Sequence, residues 1–593
     1  MSNQHAAELR RLIKRREAIS AVSPYLVAVV GYAQTWLYEN GVLCYICDRE
    51  LRILDLHRSA SSEMAVCIRS LLNEALPESQ SSTKYKFRLL YCSDDIISCV
   101  YTHQMPRRMS WLVVFNAKKQ HILTVHRLST TSKMFVRNND KFLYYGTYSE
   151  TGTHASRSWI LKAYDIKADK WVDGSLILTD FLGSEIGTTV CFEILGDHFY
   201  GLSNRLDPAV EERDWISYYT CCRFSLGPKG FQTLDYVPQE RLWRRQHKDG
   251  PIDERWSFLK LFKDETTSQL KILEARKEWL SGQSSAKRSY YTTEVSFGDA
   301  MTEGGPSSIA SYPVLENGQD QPTPSKDSQS TSKGPPSRDP HMVHVGDDAA
   351  KCVMFTSSKC PLRSYHSSSQ AFMDLVDDPT SSNPDKQRIR VRGSSRRCWT
   401  PGELEQRKRL PKTETELSQH TLIQRIEDVY KHEHVVLWPP DEDPARPDPA
   451  LSQLYEVLNP PSHVGNIHGV WDERSLVYAT GGGGTPDPLK ALVFISWDPA
   501  IYLDGIMQYP NLPPLTPAAS EAEAKGDLGL PAPGLYNVRR KRRDDNPWYL
   551  NLEPNVTHDS DTNKGSDTTS AHWRKFEPPK YRTDRPSGYH FAR

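Results

Sequence analysis

Short apolar segments separated by turn residues fill the chain from Trp36 to Phe297. WLYE meets VLCYIC across Asn40-Gly41, the strongest two-residue hairpin signal, and Asp48-Arg49-Glu50 then turns the chain into LRILDL. KFRLLYC, IISCVY, WLVVF and HILTVH form a second group, with turns at Ser93-Asp94-Asp95 and Asn116-Ala117-Lys118. Three further groups follow, and Trp36, Phe87, Phe135, Phe192 and Phe258 stand as equivalent anchors spaced by 51, 48, 57 and 66 residues. Imperfect repetition of about four strands per unit of roughly 40–50 residues is the mark of propeller blades. VLCYIC, WLVVF and FLYYGTY are apolar at odd and even positions alike, so they must be covered on both faces, as a blade is by its neighbours. One or two large sandwiches are the alternative, and the doubly apolar strands favour the propeller.

The pattern fades after Phe297. Residues 298–419 are rich in Ser, Pro, Thr, Asp and Lys and are expected to be a disordered insertion. Leu422, Ile423, Ile426, Val429 and Tyr430 fall at helical spacing, and a second helix is expected from cap Asp448 with Pro449 at its first position. HVVLW, NIHGVW, SLVYAT and KALVFISW then read as a closing blade. Five blades and this one make six, with room for a seventh in weaker sequence, and YLVAVV (Tyr25 to Val30) is the candidate closing strand. The expected organisation is an N-terminal basic helix (1–23), blades (24–297), the insertion (298–419), a helix with the closing blade (420–509) and a disordered tail (510–593).

Composition narrows the class. Aromatic residues make up 10% of the 593, too many for a disordered chain, so a large aromatic core is expected. Lys+Arg equals Asp+Glu at 74 each, leaving no global basic field to recruit nucleic acid or an anionic membrane. No apolar run is long enough to cross a bilayer, and MSNQHAAELRRLIKRREAIS has none of the order of a secretory signal. The 11 scattered cysteines, odd in number, suit reduced thiols in cytosol or nucleus.

Candidate chemistry is sparse. Cys44 and Cys47 make a lone pair on one strand, where odd separation points them to opposite faces, and buried structural thiols are expected. His432-Glu433-His434 opens a strand and lacks the helical spacing of a zinc protease, and Gly481 to Gly484 lacks the Gly-Lys-Ser/Thr of a phosphate loop. Ser462-His463 followed by Trp497-Asp498 imitates the framing of a WD-type blade in one degenerate copy. Arg539, Arg540, Lys541, Arg542 and Arg543 form a candidate nuclear import signal, a solvated charge run balanced by Asp544-Asp545 being the alternative. No catalytic, metal or cofactor residues are assigned, and a non-enzymatic protein is expected.

Longer segments carry a resemblance. GYAQTWLYENGVLCYICDRELRILDLH (Gly31 to His57), WRRQHKDGPIDERW (Trp243 to Trp256), ARKEW, YYTTE, LNPPSH and VWDERSLVY (Val470 to Tyr478) resemble a group of fungal F-box proteins, from about Leu9 to Ala500. The resemblance implies the substrate-recognition region of a cullin-RING ubiquitin ligase subunit, presenting a protein target of unknown identity. The 35 residues before Trp36 hold one basic helix and none of the successive apolar helices of an F-box. Binding to the ligase adaptor is therefore expected only for a version extended upstream, with a ubiquitin-independent propeller scaffold as the alternative.

Overall fold

The computed structural model describes residues 2–298, 343–348, 362–409, 430–509, 550–552 and 573–591, apart from short stretches within those spans. Antiparallel strands build seven blades around one axis. Trp36, Phe87, Phe135, Phe192 and Phe258 all fall on the first strand of their sheets, at Thr35–Glu39, Tyr85–Ser93, Met134–Asn138, Val190–Leu195 and Phe258–Lys263. Anchor spacing thus located the inner strands of blades 1 to 5. Turn chemistry held as well. Asn40, Asp48, Arg49, Asp94 and Asp95 all adopt positive φ. At Gly41 (φ +88°) a Cβ would lie 2.1 Å from the His57 ring, so only glycine fits this hairpin.

The sixth blade corrects the expected insertion. Arg363–His366, Ala371–Asp377 and Ile389–Cys398 pair in sequence, and Tyr430–His432 and Val436–Trp438 both pair with the last of them. The segment reads as polar because its buried faces carry charge: Asp374, Arg390 and Arg392 are almost wholly buried. Arg392 donates to Asp374 at 2.5 Å, and Arg390 donates to the carbonyl of Pro439 at 2.6 Å. Hydropathy cannot register a strand whose interior charges are cancelled by partners distant in sequence. HVVLW accordingly belongs to blade 6 rather than to the closing blade. The fourth strand of blade 5, Val343–Asp348, also falls inside the expected insertion. Tyr430 opens a strand, and the rest of the expected helix from Leu422 to Val429 lies outside the described residues.

Blade 7 joins His468–Trp471, Ser475–Thr480 and Lys490–Ser496 to Leu26–Ala33, with Leu26 opposite Ser496 and Ala33 opposite Lys490. The expected closing strand is therefore in place. The helix Pro449–Leu458 begins as read, with the Asp448 side chain accepting from the Ala450 N–H, and it buries Leu451, Leu454, Val457 and Leu458. A second correction concerns the tail. Leu550–Leu552 and Arg574–Glu577 add edge strands to blades 2 and 1, and Ser587–His590 pairs with both Leu26–Ala33 and Met507–Gln508 in blade 7. Trp573 is almost wholly buried, its ring 5.4 Å from that of Phe115. These segments are too short for a periodicity signal, and their partners were made several hundred residues earlier.

The basic helix spans Ser2–Ser20. Ala18, Ile19 and Val22 enter the core between blades 6 and 7. Arg11 donates to both carboxylate oxygens of Asp498 at 2.7 and 2.6 Å, and Arg15 donates to Glu265 in the first turn of blade 5. The helix thus lies on the face formed by the turns between first and second strands.

Candidate interaction surfaces

Inner strands bring ionisable groups together near the axis. Glu39 of blade 1 feels Arg137 of blade 3, Glu193 of blade 4, Lys260 of blade 5 and Asp472 of blade 7, a convergence only a closed ring provides. Burial pushes the Glu39 carboxyl up to about 7, against the pull of the Arg137 charge. Arg137 pairs with Glu193 at 3.2 Å and lies over the Tyr91 ring, while Lys260 and His366 both approach Glu473 at 3.9 Å. Burial, then the Lys260 charge, drives buried His366 down to about 4.

A second cluster closes the seam between blades 7 and 1. The Tyr38 hydroxyl donates to Asp472 at 2.8 Å and meets Ser475 at 2.5 Å, and His57 Nε2 lies 2.9 Å from the Ser475 hydroxyl. Residue types alone suggest a Ser-His-Asp triad. In a triad, however, carboxylate and hydroxyl take opposite ring nitrogens. Here Asp472 also approaches Nε2, at 3.2 Å, and Ser475 is fully buried. The group is a clasp. Burial works to raise the Asp472 carboxyl, but the His57 hydrogen bond and charge hold it down at about 2. Sequence reasoning missed this cluster because its members come from both ends of the propeller, and no spacing rule links them.

A recess of about 800 Å³ opens on the opposite face, away from the N-terminal helix. It lies between the start of the third strand of blade 2 (Met109–Asn116) and the connection from Leu128 towards blade 3. Arg108, Arg127, Ser110, Ser129, Thr130 and Thr131 supply most of its polar wall.

The residues singled out from sequence take structural places. Cys44 and Cys47 are buried in different core clusters, as opposite strand faces require, and burial pushes the Cys47 thiol up to about 11. His463 is 2.8 Å from the Ser462 hydroxyl, whereas Trp497 stacks on Trp471 and Asp498 receives Arg11. Among the described residues no hydrogen bond joins the Ser-His and Trp-Asp pairs. Glu433 and His434 are exposed beside the strand that ends at His432. Gly481 has φ +127°, and Gly482 to Gly484 lie outside the described residues, as do Arg539 to Arg543. No cluster of metal-ligating side chains is found among the described residues, nor any helix long and apolar enough to cross a membrane.

No protein-family model and no curated protein matches the chain. Among solved structures it is similar to the WD40 domain of SCAP from fission yeast, at 8% identity and TM-score 0.35, over 80% of this chain and 95% of that one. It is also similar to the polysaccharide lyase Uly1 (7%, 0.33, over 79% and 91%) and to Drosophila Semaphorin 1a extracellular domains 1-2 (10%, 0.33, over 80% and 88%). Likeness at this level concerns the chain trace alone.

Proposed function

We propose that the chain is a non-enzymatic protein-interaction platform, equivalent to the substrate-recognition region of an F-box subunit of a cullin-RING ubiquitin ligase. The observation that carries the interaction reading is the rigid ring with one face crossed by the N-terminal helix and a recess on the other. The axial charges counter one another, and the serine of the seam cluster is buried in a clasp. The recess, by contrast, faces solvent. The ubiquitin part of the reading rests on the sequence resemblance. Its test is to isolate proteins held by the full chain and to follow their half-lives in cells depleted of it. Partners that live longer after depletion support a ligase receptor. Partners with unchanged half-lives point to a ubiquitin-independent scaffold.

Arg539 to Arg543 are proposed to direct nuclear import. Replacing all five by alanine should lower the nuclear-to-cytoplasmic ratio of a tagged protein, and an unchanged ratio removes the idea.

A further inference from the structure

From the recess on blade 2, we infer a binding site for a phosphate monoester. The inference is independent of the ubiquitin reading. The lining is chemically one-sided: arginine, serine and threonine, with Met109 and Leu128 as the apolar contribution and no carboxylate. Several arginines buried or half-buried in the blades are matched by carboxylates. Arg52 pairs with Glu63, Arg137 with Glu193, Arg244 with Glu274 and Arg392 with Asp374. Arg108 and Arg127 border this recess without a hydrogen bond or ion pair among the described residues. Among the described residues, two guanidinium forks thus stand side by side with hydroxyl donors at one recess, and no anion receives them.

The donor set favours a tetrahedral dianion over a carboxylate. A carboxylate offers two oxygens in one plane, whereas a phosphate monoester offers three spread tetrahedrally and carries a second charge, so it can take two forks and hydroxyl donors that arrive from different directions. The hydroxyls are also held in place. Ser110 is buried with its hydroxyl 2.8 Å from that of Thr102, and the Thr130 hydroxyl accepts from the Ser132 N–H. Buried Leu128 adds an apolar contact for a carbon skeleton. At about 800 Å³ the recess exceeds a phosphate group several-fold, so the phosphate arrives on a larger carrier. That carrier is either a phosphorylated side chain or a free phosphorylated metabolite. A nucleic-acid backbone fits less well, because its diester phosphates are singly charged and need a track of cations, and the chain has no net positive charge.

Calorimetric titration of the full-length protein tests the site, using inorganic phosphate, a capped phosphoserine tripeptide and its unphosphorylated form, with sulfate at matched ionic strength as control. The expected result is saturable binding of phosphate and phosphopeptide but not of the unphosphorylated peptide. The double variant R108Q/R127Q should weaken it by roughly tenfold or more, charge-assisted hydrogen bonds being the strong ones. Both side chains are exposed, so the fold should survive, which circular dichroism and an unchanged unfolding midpoint will verify. R10Q, on the exposed face of the N-terminal helix, should bind as the parent does. Tighter binding of the phosphopeptide than of phosphate assigns the carrier to a protein; equal affinities assign it to a small metabolite. Absence of saturable binding, or binding unchanged in R108Q/R127Q, overturns the inference.

Discussion

His366 and Glu274 are opposite electrostatic solutions to burial. His366 is kept neutral, its folded value of about 4 lying below the ordinary 6.5. Below pH 6.5 the unfolded chain takes up a proton that the folded chain refuses until about pH 4, so stability falls across that window on acidification. The single-group loss is about 3 kcal/mol by linkage, and H366Q should show a shallower fall in urea-unfolding free energy from pH 6.5 to 4. An equal slope in both proteins would mean that His366 takes up its proton as readily in the fold as in the unfolded chain. Glu274, wholly buried in blade 5, stays charged instead. Burial alone would raise it, but Arg244 and Arg276, which donate to it at 2.6 and 2.7 Å, hold it below the usual carboxylate range. Tyr219 donates to it at 2.7 Å and Asn204 at 3.2 Å, which ties blade 4 to blade 5. E274Q leaves two buried guanidinium groups without their counter-charge and should cost about 3–5 kcal/mol of unfolding free energy. Little of this was legible in the sequence. A buried Glu and a surface Glu look alike until the partner is known, and Arg244 lies 30 residues from Glu274 along the chain.

Strands, by contrast, were legible wherever the two faces of a blade are both apolar, and illegible where charge is buried or the strand is short. FLYYGTY and WLVVF announced themselves; RVRGSSRR, inside the sixth blade, reads as a solvated loop until Arg392 meets Asp374. The tail shows the same limit. Within Arg574–Glu577 no residue is buried, Phe576 being 60% exposed, whereas Trp573, just before the strand, is almost wholly buried. W573A should therefore lower stability by roughly 3–5 kcal/mol through lost apolar contacts and a residual cavity. F576A should stay within about 0.5 kcal/mol of the parent. Equal effects in denaturant titrations would show that the tail strand does not dock on blade 1 as described.

Closure is a property of the whole ring, and it is made twice: by backbone pairing of Leu26–Ala33 with Lys490–Ser496, and by the side-chain clasp of Tyr38, His57, Asp472 and Ser475. If the clasp is one cooperative unit, Y38F and D472N should couple by about 0.5–3 kcal/mol in a double-mutant cycle. Strict additivity would reduce the seam to independent contacts. The pairing of Leu26 with both Ser496 and His590 also sets a timetable for biosynthesis. A ribosome delivers the closing strand among the first residues of the described fold and its two neighbours among the last. Blades 1 to 6 can begin to stack as they emerge, but this early strand must wait, with its edges unpaired, until Lys490–Ser496 and Ser587–His590 have been made. Shielding that one segment from premature association is the task that the topology hands to the chaperones of the nascent chain.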